Sequence, residues 1–374
     1  MPDDALPEEW EILRGWLPAD LDVLARKHGF FQRARGITDG ECWLRLILMH
    51  VAGGLSLEQT ALRARELGLA EISAVALFKR LRKAEGWLRN ICHHLLSEQQ
   101  KRLGRSVWPK AYRVRAIDAT DIQEPGSTGT DWRLHYSIRL PELICDHYEL
   151  TDKHGGESLG NFEFRKNELI LADRGYSHWS GAAKVLDSGA QLLVRWSKTF
   201  PLQAVGGKAF NVLENVHKLD KRTAGEWKVQ FVYNRKVYRL RFCAVRKSRV
   251  AAERARLKLE REAKTDGYAP SPESLEVTGY VMVLSSLPPE FSASQVLELY
   301  RCRWQVELAF KRLKSLLGAG HVPKSNDDSA RAWMQAKLLT ALLVERLLTE
   351  AKIFSPWGYP LRNDQSVAVG LGSP

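Results

Sequence analysis

Cysteine is scarce in this chain and never paired in sequence. Five occur among 374 residues, at Cys42, Cys92, Cys145, Cys243 and Cys302, with no CxxC. An odd, scattered set excludes a disulfide framework and the usual zinc spacings, and a reduced, cytoplasmic setting is expected. Long apolar runs are also missing. The best candidate, "LRLILMHVAGGL", is interrupted by Arg45, His50 and a glycine pair, too short and too polar to span a bilayer. The opening "MPDDALPEEW" is acidic and has no apolar h-region, so no secretory signal is expected there. There is no GxGxxG and no GxSxG. "VGGKAF" fails as a phosphate loop because Leu202 stands where the first glycine must be. His93 and His94 diverge by about 100° on a helix, which makes them poor joint ligands and ordinary histidines. No internal repeat is visible.

Positive charge is what the chain has in excess. Its formal charge is +12 and its pI about 9.5. Such a surplus suits a polyanion, nucleic acid ahead of an anionic membrane. An apolar fraction of 44% is ordinary, and the length can hold two or three domains.

Residues 1–108 read as helical. "ECWLRLILMHV" is an apolar-faced helix, and two helical runs flank the break "LGLAE". Ser56 and Gln59 form a capping-box pattern for the first run. The second ends in the basic "FKRLRK", compatible with a helix-turn-helix or with a plain helical bundle. From 109 to 198 the pattern becomes α/β. "YRVRAIDAT", "WRLHYSIRL" and "ELICDHYELTD" read as three antiparallel strands. "NELILAD" and "AQLLVRW" read as strands around the helix "WSGAAKVLDSG". Residues 199–290 look inserted and β-rich, with "FNVLENVHKL", "GEWKVQFVYN" and "KVYRLRFCAV" as strands. A basic helix at 246–264 has eight Lys or Arg against three Glu, and "GYAPSPESLE" reads as a linker. Residues 291–352 return to helices, and 353–374, rich in Pro and Gly, read as a loose tail.

"YRCRWQVELAFKRLK", residues 300–314, carries the densest signal. On one helix Tyr300, Arg303, Glu307 and Lys314 share a sector of roughly 60°. Leu299, Val306, Phe310, Leu313 and Leu317 form a neighbouring stripe that would face a core. The polar row has a bland explanation in i,i+4 ion pairs such as Arg303–Glu307 and Glu307–Lys311. Two other acids suggest more. Asp118 lies in the strand "RVRAIDAT", and Asp173 ends the strand "LILAD", where α/β sheets place ligands. Asp121 is a rival to Asp118, although an odd separation along a strand puts the two on opposite faces. Two-metal cleavage of phosphodiesters needs such converging carboxylates, and Mg2+ takes oxygen ligands.

Asp118 in "IDAT", Asp173 in "ADRGY" and the helix Tyr300-x2-Arg303-x3-Glu307-x6-Lys314 resemble the DDE transposases of bacterial insertion sequences. In particular they resemble the insertion-sequence-four family with its Y-R-E-K helix. The resemblance covers about residues 110–350. It implies an RNase H-like catalytic core interrupted by the β-rich insertion and preceded by the all-helical N-terminal domain. It implies Asp118, Asp173 and Glu307 as catalytic metal ligands for Mg2+, with Mn2+ able to substitute. Tyr300, Arg303 and Lys314 would contact phosphates, and Trp304, Lys311 and Arg174 are further DNA-contact candidates. Trp304 could stack on a base or pack with Leu308 under a strand. The partners implied are double-stranded DNA at inverted-repeat ends and targets, and a second copy of the chain when DNA is bound. The expected location is the bacterial cytoplasm, in association with the nucleoid.

Overall fold

The computed structural model describes residues 5–30, 37, 39–102, 112–220, 223–323 and 326–351. The chain divides into two compact units, residues 1–102 with 317–374, and residues 103–316.

The first unit is helical in its described part. It holds α1 (Ala5–Arg14), α2 (Leu21–Lys27), α3 (Gly40–Val51), α4 (Leu57–Glu66), α5 (Ala74–Leu81) and α6 (Glu85–Arg102). Caps explain where these helices start. Asp39 accepts from the amides of Glu41 and Cys42, Ser56 and Gln59 form the expected reciprocal box, and Ser73 caps α5. The core gathers on Phe30, stacked on Trp87 at 4.6 Å and edge-on to Trp43 at 5.6 Å.

The second unit is built on one nine-stranded mixed sheet, ordered β3-β2-β1-β4-β5-β9-β8-β7-β6. Its first strands are β1 (Arg113–Ile122), β2 (Trp132–Leu140), β3 (Ile144–Asp152) and β4 (Glu168–Ala172). Helix α7 (Trp179–Asp187) leads to β5 (Gln191–Arg195), and β6 (Gln203–Ala204) follows. The next elements are α8 (Val212–His217), β7 (Gly225–Tyr233), β8 (Lys236–Arg246), α9 (Arg249–Thr265), α10 (Pro272–Val277) and β9 (Tyr280–Ser285). Two helices, α11 (Ala293–Arg301) and α12 (Trp304–Leu316), close the unit. As the alternation predicted, β1, β2 and β3 form an antiparallel set, and β1, β4 and β5 run parallel. β4 is buried along its whole length, which is why "ELILA" reads as a nearly continuous apolar run. Arg115 is buried inside this sheet and pairs with Asp146 at 2.8 Å and Glu168 at 3.2 Å.

The strands of 199–290 extend the same sheet, β9 pairing antiparallel with β5 and β8, β7 and β6 continuing outward. Several expectations need correction. "FNVLENVHKL" is not a strand, because Asn211 accepts from the Glu214 amide and starts α8 with Val212 and Val216 buried. The "linker" contains α10, capped by Ser271 with Pro272 at its first turn. The stretch 300–314 is two helices. At Cys302 and Arg303 the bonding tightens to i→i+3, with the Gln305 and Val306 amides donating to the Cys302 and Arg303 carbonyls. Cys, Trp and Val supply little helix propensity there.

Residues 291–352 are divided between the units. The last helix, α13 (Asp327–Ala351), packs along α6 with Arg102–Glu350 and Arg82–Asp328 ion pairs. The tail at 353–374 lies outside the described residues. No described helix is long and apolar enough to cross a membrane.

Candidate active site

Register puts the first two acids side by side. In the parallel pairing of β1 with β4, Ile117 stands opposite Ala172. The next residues are Asp118 and Asp173, at neighbouring strand ends on the carboxyl edge of the sheet, where open α/β sheets bind ligands. Helix α12 lies against β1 and β2 and buries Val306, Phe310 and Leu313, with Phe310 and Tyr136 rings 5.8 Å apart. Each such burial is worth about 1.5–3 kcal/mol, so the apolar stripe fixes the helix that carries Glu307.

Arg303, in the tight turn between α11 and α12, ties these acids together. Its Nη1 donates to Asp118 Oδ2 at 3.2 Å, and its Nη2 donates to Glu307 Oε1. Tyr300 is buried and donates its hydroxyl to Asp173 Oδ1 at 3.1 Å. The Ala119 amide donates to Asp118 Oδ1 at 2.9 Å. Burial pushes Asp118 up to about 7, aided by the charges of Asp173 and Glu157 and opposed by the Ala119 amide and Arg303. Burial would also raise Asp173, but Arg303, the Arg174 amide, Arg195 and Tyr300 outweigh it and hold that carboxyl below its ordinary range. Burial and the neighbouring Asp173 push the Tyr300 hydroxyl well up, so it remains a donor.

Comparison with known proteins identifies the family. Residues 150–343 match the family model described as a transposase DDE domain. The chain is 34% identical over 348 residues to the InsL protein of insertion sequence element IS186A of Escherichia coli strain K12, covering 91% of this chain and 93% of the relative. It is also 34% identical over 349 residues, at the same coverage, to the transposase for insertion sequence element IS421 of Escherichia coli. The chain belongs to the DDE transposases of insertion sequences. A solved piggyBac transposase synaptic complex with hairpin DNA has a TM-score of 0.45 and 10% identity, covering 90% of this chain and 74% of that one. That likeness is too slight to carry an argument.

In this transposase the expected site residues fall into two groups. Asp118, Asp173, Glu307, Tyr300 and Arg303 meet at one place, with Tyr300 and Arg303 turned onto carboxylates. Lys311, Lys314 and Arg174 are exposed, and Trp304 is 56% exposed rather than packed under a strand. Asp121 sits apart, bound to Arg133 at 3.0 Å. Sequence reasoning missed Glu157, which is half-buried beside Asp118 and Asp173 and raised by burial. Topology could have found it, because β3 ends on the sheet edge where β1 ends, so its following loop opens toward the acids. Glu157 also reaches over the glycine of "DRGY", and a larger residue there would push its carboxylate aside. A Cβ on Gly175 would fall 1.7 Å from Glu157 Oε2.

Among the described residues, no group of three or more His, Cys, Asp or Glu stands at metal-holding spacing. Asp118, Asp173 and Glu307 are arranged around the Arg303 guanidinium instead. Their chemistry still fits a divalent cation, since hard carboxylate oxygens are what Mg2+ takes. Burial, with the charges of Asp173 and Glu157 added to it, raises Asp118, and a bound cation would offset both. Asp118, Asp173 and Glu307 are the residues that could hold it, with Arg303 yielding at least one carboxylate.

Proposed function

We propose that this transposase binds inverted-repeat DNA ends, hydrolyses phosphodiester bonds there, and joins the freed 3′-OH to target DNA. Its core is RNase H-like, with Asp118 carried by β1, Asp173 at the end of β4 and Glu307 on α12. The observation that carries it is the register of β1 with β4, which sets Asp118 beside Asp173 at one sheet edge. Divalent cations, Mg2+ or Mn2+, when bound, activate the attacking oxygen and stabilise the leaving one. Asp118, Asp173 and Glu307 supply the anionic oxygens that hold them. Tyr300 keeps Asp173 ionised and oriented. Arg303 neutralises the acid group before loading and then stands next to the scissile phosphate, where a guanidinium matches phosphate oxygens. Lys314, Lys311, Arg174 and Trp304 face outward and serve DNA contact. The N-terminal helices serve end recognition, and two copies assemble on DNA.

The test is Glu307→Gln, which keeps shape and removes the anion. Nicking of a donor plasmid carrying the flanking ends should fall by several orders of magnitude in Mg2+, while duplex binding persists. Near-normal nicking by a well-folded variant would leave Glu307 as a mere partner of Arg303 and remove the assignment.

A further inference from the structure

The row of strand ends does not stop at the acids. β4 pairs with β5 in parallel, Ala172 opposite Val194, so Arg195 follows Val194 as Asp173 follows Ala172. Asp118, Asp173 and Arg195 therefore form one row across three adjacent parallel strands. Beyond Arg195 the row opens into a cleft of about 470 Å³, walled by the end of β5, by α9 and by α10. Five cations line it, Arg174, Arg195, Lys198, Lys247 and Lys258, against one carboxylate, Glu262.

We propose that this cleft is a binding site for the phosphodiester backbone of DNA, taking the strand segment adjacent to the phosphate held at the acids. The inference rests on the reading that DNA is the substrate. Neither Arg174 nor Arg195 has a side-chain hydrogen bond or ion pair among the described residues. Two unpaired guanidinium groups flanking a concave surface match phosphate oxygens. Lys247 makes the same point: burial first, then the charges of Arg195 and Arg174, lower it to about 8, and an anion in the cleft would relieve that repulsion. Continuity with the acid row favours a segment of the same substrate over a separate small anion. The insertion thus acquires a role. By widening the sheet past β5 it brings α9 and α10 over the strand end that carries Arg195.

The experiment is fluorescence anisotropy of a short labelled DNA duplex with the full chain, without divalent cation, over a salt series. Arg195→Gln with Lys258→Gln removes two cleft cations. Each lost phosphate contact lowers the slope of log K against log salt by about 0.9, so the pair should lower it by about 1.8. Arg256→Gln with Lys264→Gln removes the same charge from exposed positions of α9 that do not line the cleft, and should leave the slope near wild type. Lys258→Gln alone, on the exposed helix surface, should show about half the double effect and guards against misfolding at Arg195. Equal slopes for the cleft pair and the wild type, or equal losses in both pairs, overturn the cleft. If the wild type binds and nicks DNA while the cleft pair matches it, only this inference falls. If the wild type binds no DNA at all, the functional reading falls with it.

Discussion

Arg303→Gln separates an acid-holding role from a surface ion pair. The Arg303 and Asp118 side chains are 12% and 16% exposed, so losing this guanidinium strands a buried carboxylate. Breaking such a pair costs about 3–5 kcal/mol. Glu307 is 42% exposed, so its share is screened to below about 1 kcal/mol. A total near 3 kcal/mol should lower the melting temperature of a unit this size by roughly 6–12 °C. The pH dependence has a definite sign. Asp118 is raised from 3.8 to about 7, so its ionisation costs stability as pH rises between those values, and the cost is complete above the upper one. Without Arg303 that cost grows. The deficit of the variant should therefore be largest at pH 8 and should shrink at pH 5, where Asp118 is protonated. Mg2+ should raise the melting temperature of the variant more than that of the wild type, because a cation now does what the guanidinium did. Scanning calorimetry at both pH values, with and without Mg2+, decides it. A deficit that is equal at pH 5 and pH 8, or absent, would refute the bridging role.

Three further outcomes are expected. Tyr300→Phe removes the donor to Asp173 Oδ1, so the Asp173 carboxyl should rise toward its ordinary range and the nicking rate should fall first at the acid end of the pH profile. Mn2+ affinity, read by calorimetric titration, should weaken as pH falls below about 7, because Asp118 must lose its proton to bind; Asp118→Asn should weaken binding and flatten that dependence, and an unchanged profile would exclude Asp118 as a ligand. Ser292→Ala breaks the capping box that starts α11, so thermal melting should show a loss of about 1 kcal/mol, with a loss under a quarter of that arguing against the cap.

Much of the site was legible because it depends on local pattern. The strand "LILAD" announces its own end at Asp173, and the apolar stripe of α12 follows from spacing alone. The capping box at Ser56 is visible for the same reason. What failed was local pattern with two solutions. "FNVLENVHKL" alternates well enough for a strand, yet Asn211 at the cap position makes it a helix. Proline and serine in "GYAPSPESLE" signal a turn and a helix start equally well.

The deeper limit is pairing between distant segments. Nothing in "IDAT" or "ADRGY" says that β1 and β4 lie side by side with Ile117 opposite Ala172, because that register is set by packing on both faces. Nor does periodicity reveal that the polar row on residues 300–314 is cut in two. On one unbroken helix, Tyr300 and Arg303 would share Glu307's sector and serve DNA equally. The tight turn at Cys302 and Arg303 divides their tasks. Tyr300 is buried and reaches Asp173, Arg303 bridges to Asp118, and Glu307 stays partly open on the next helix. The motif is therefore a clamp assembled from two helices around two strand ends. Its spacing is constrained by what each residue must reach across the turn, and a deletion of one residue there should disconnect Arg303 from Asp118 while leaving α12 docked by Val306, Phe310 and Leu313.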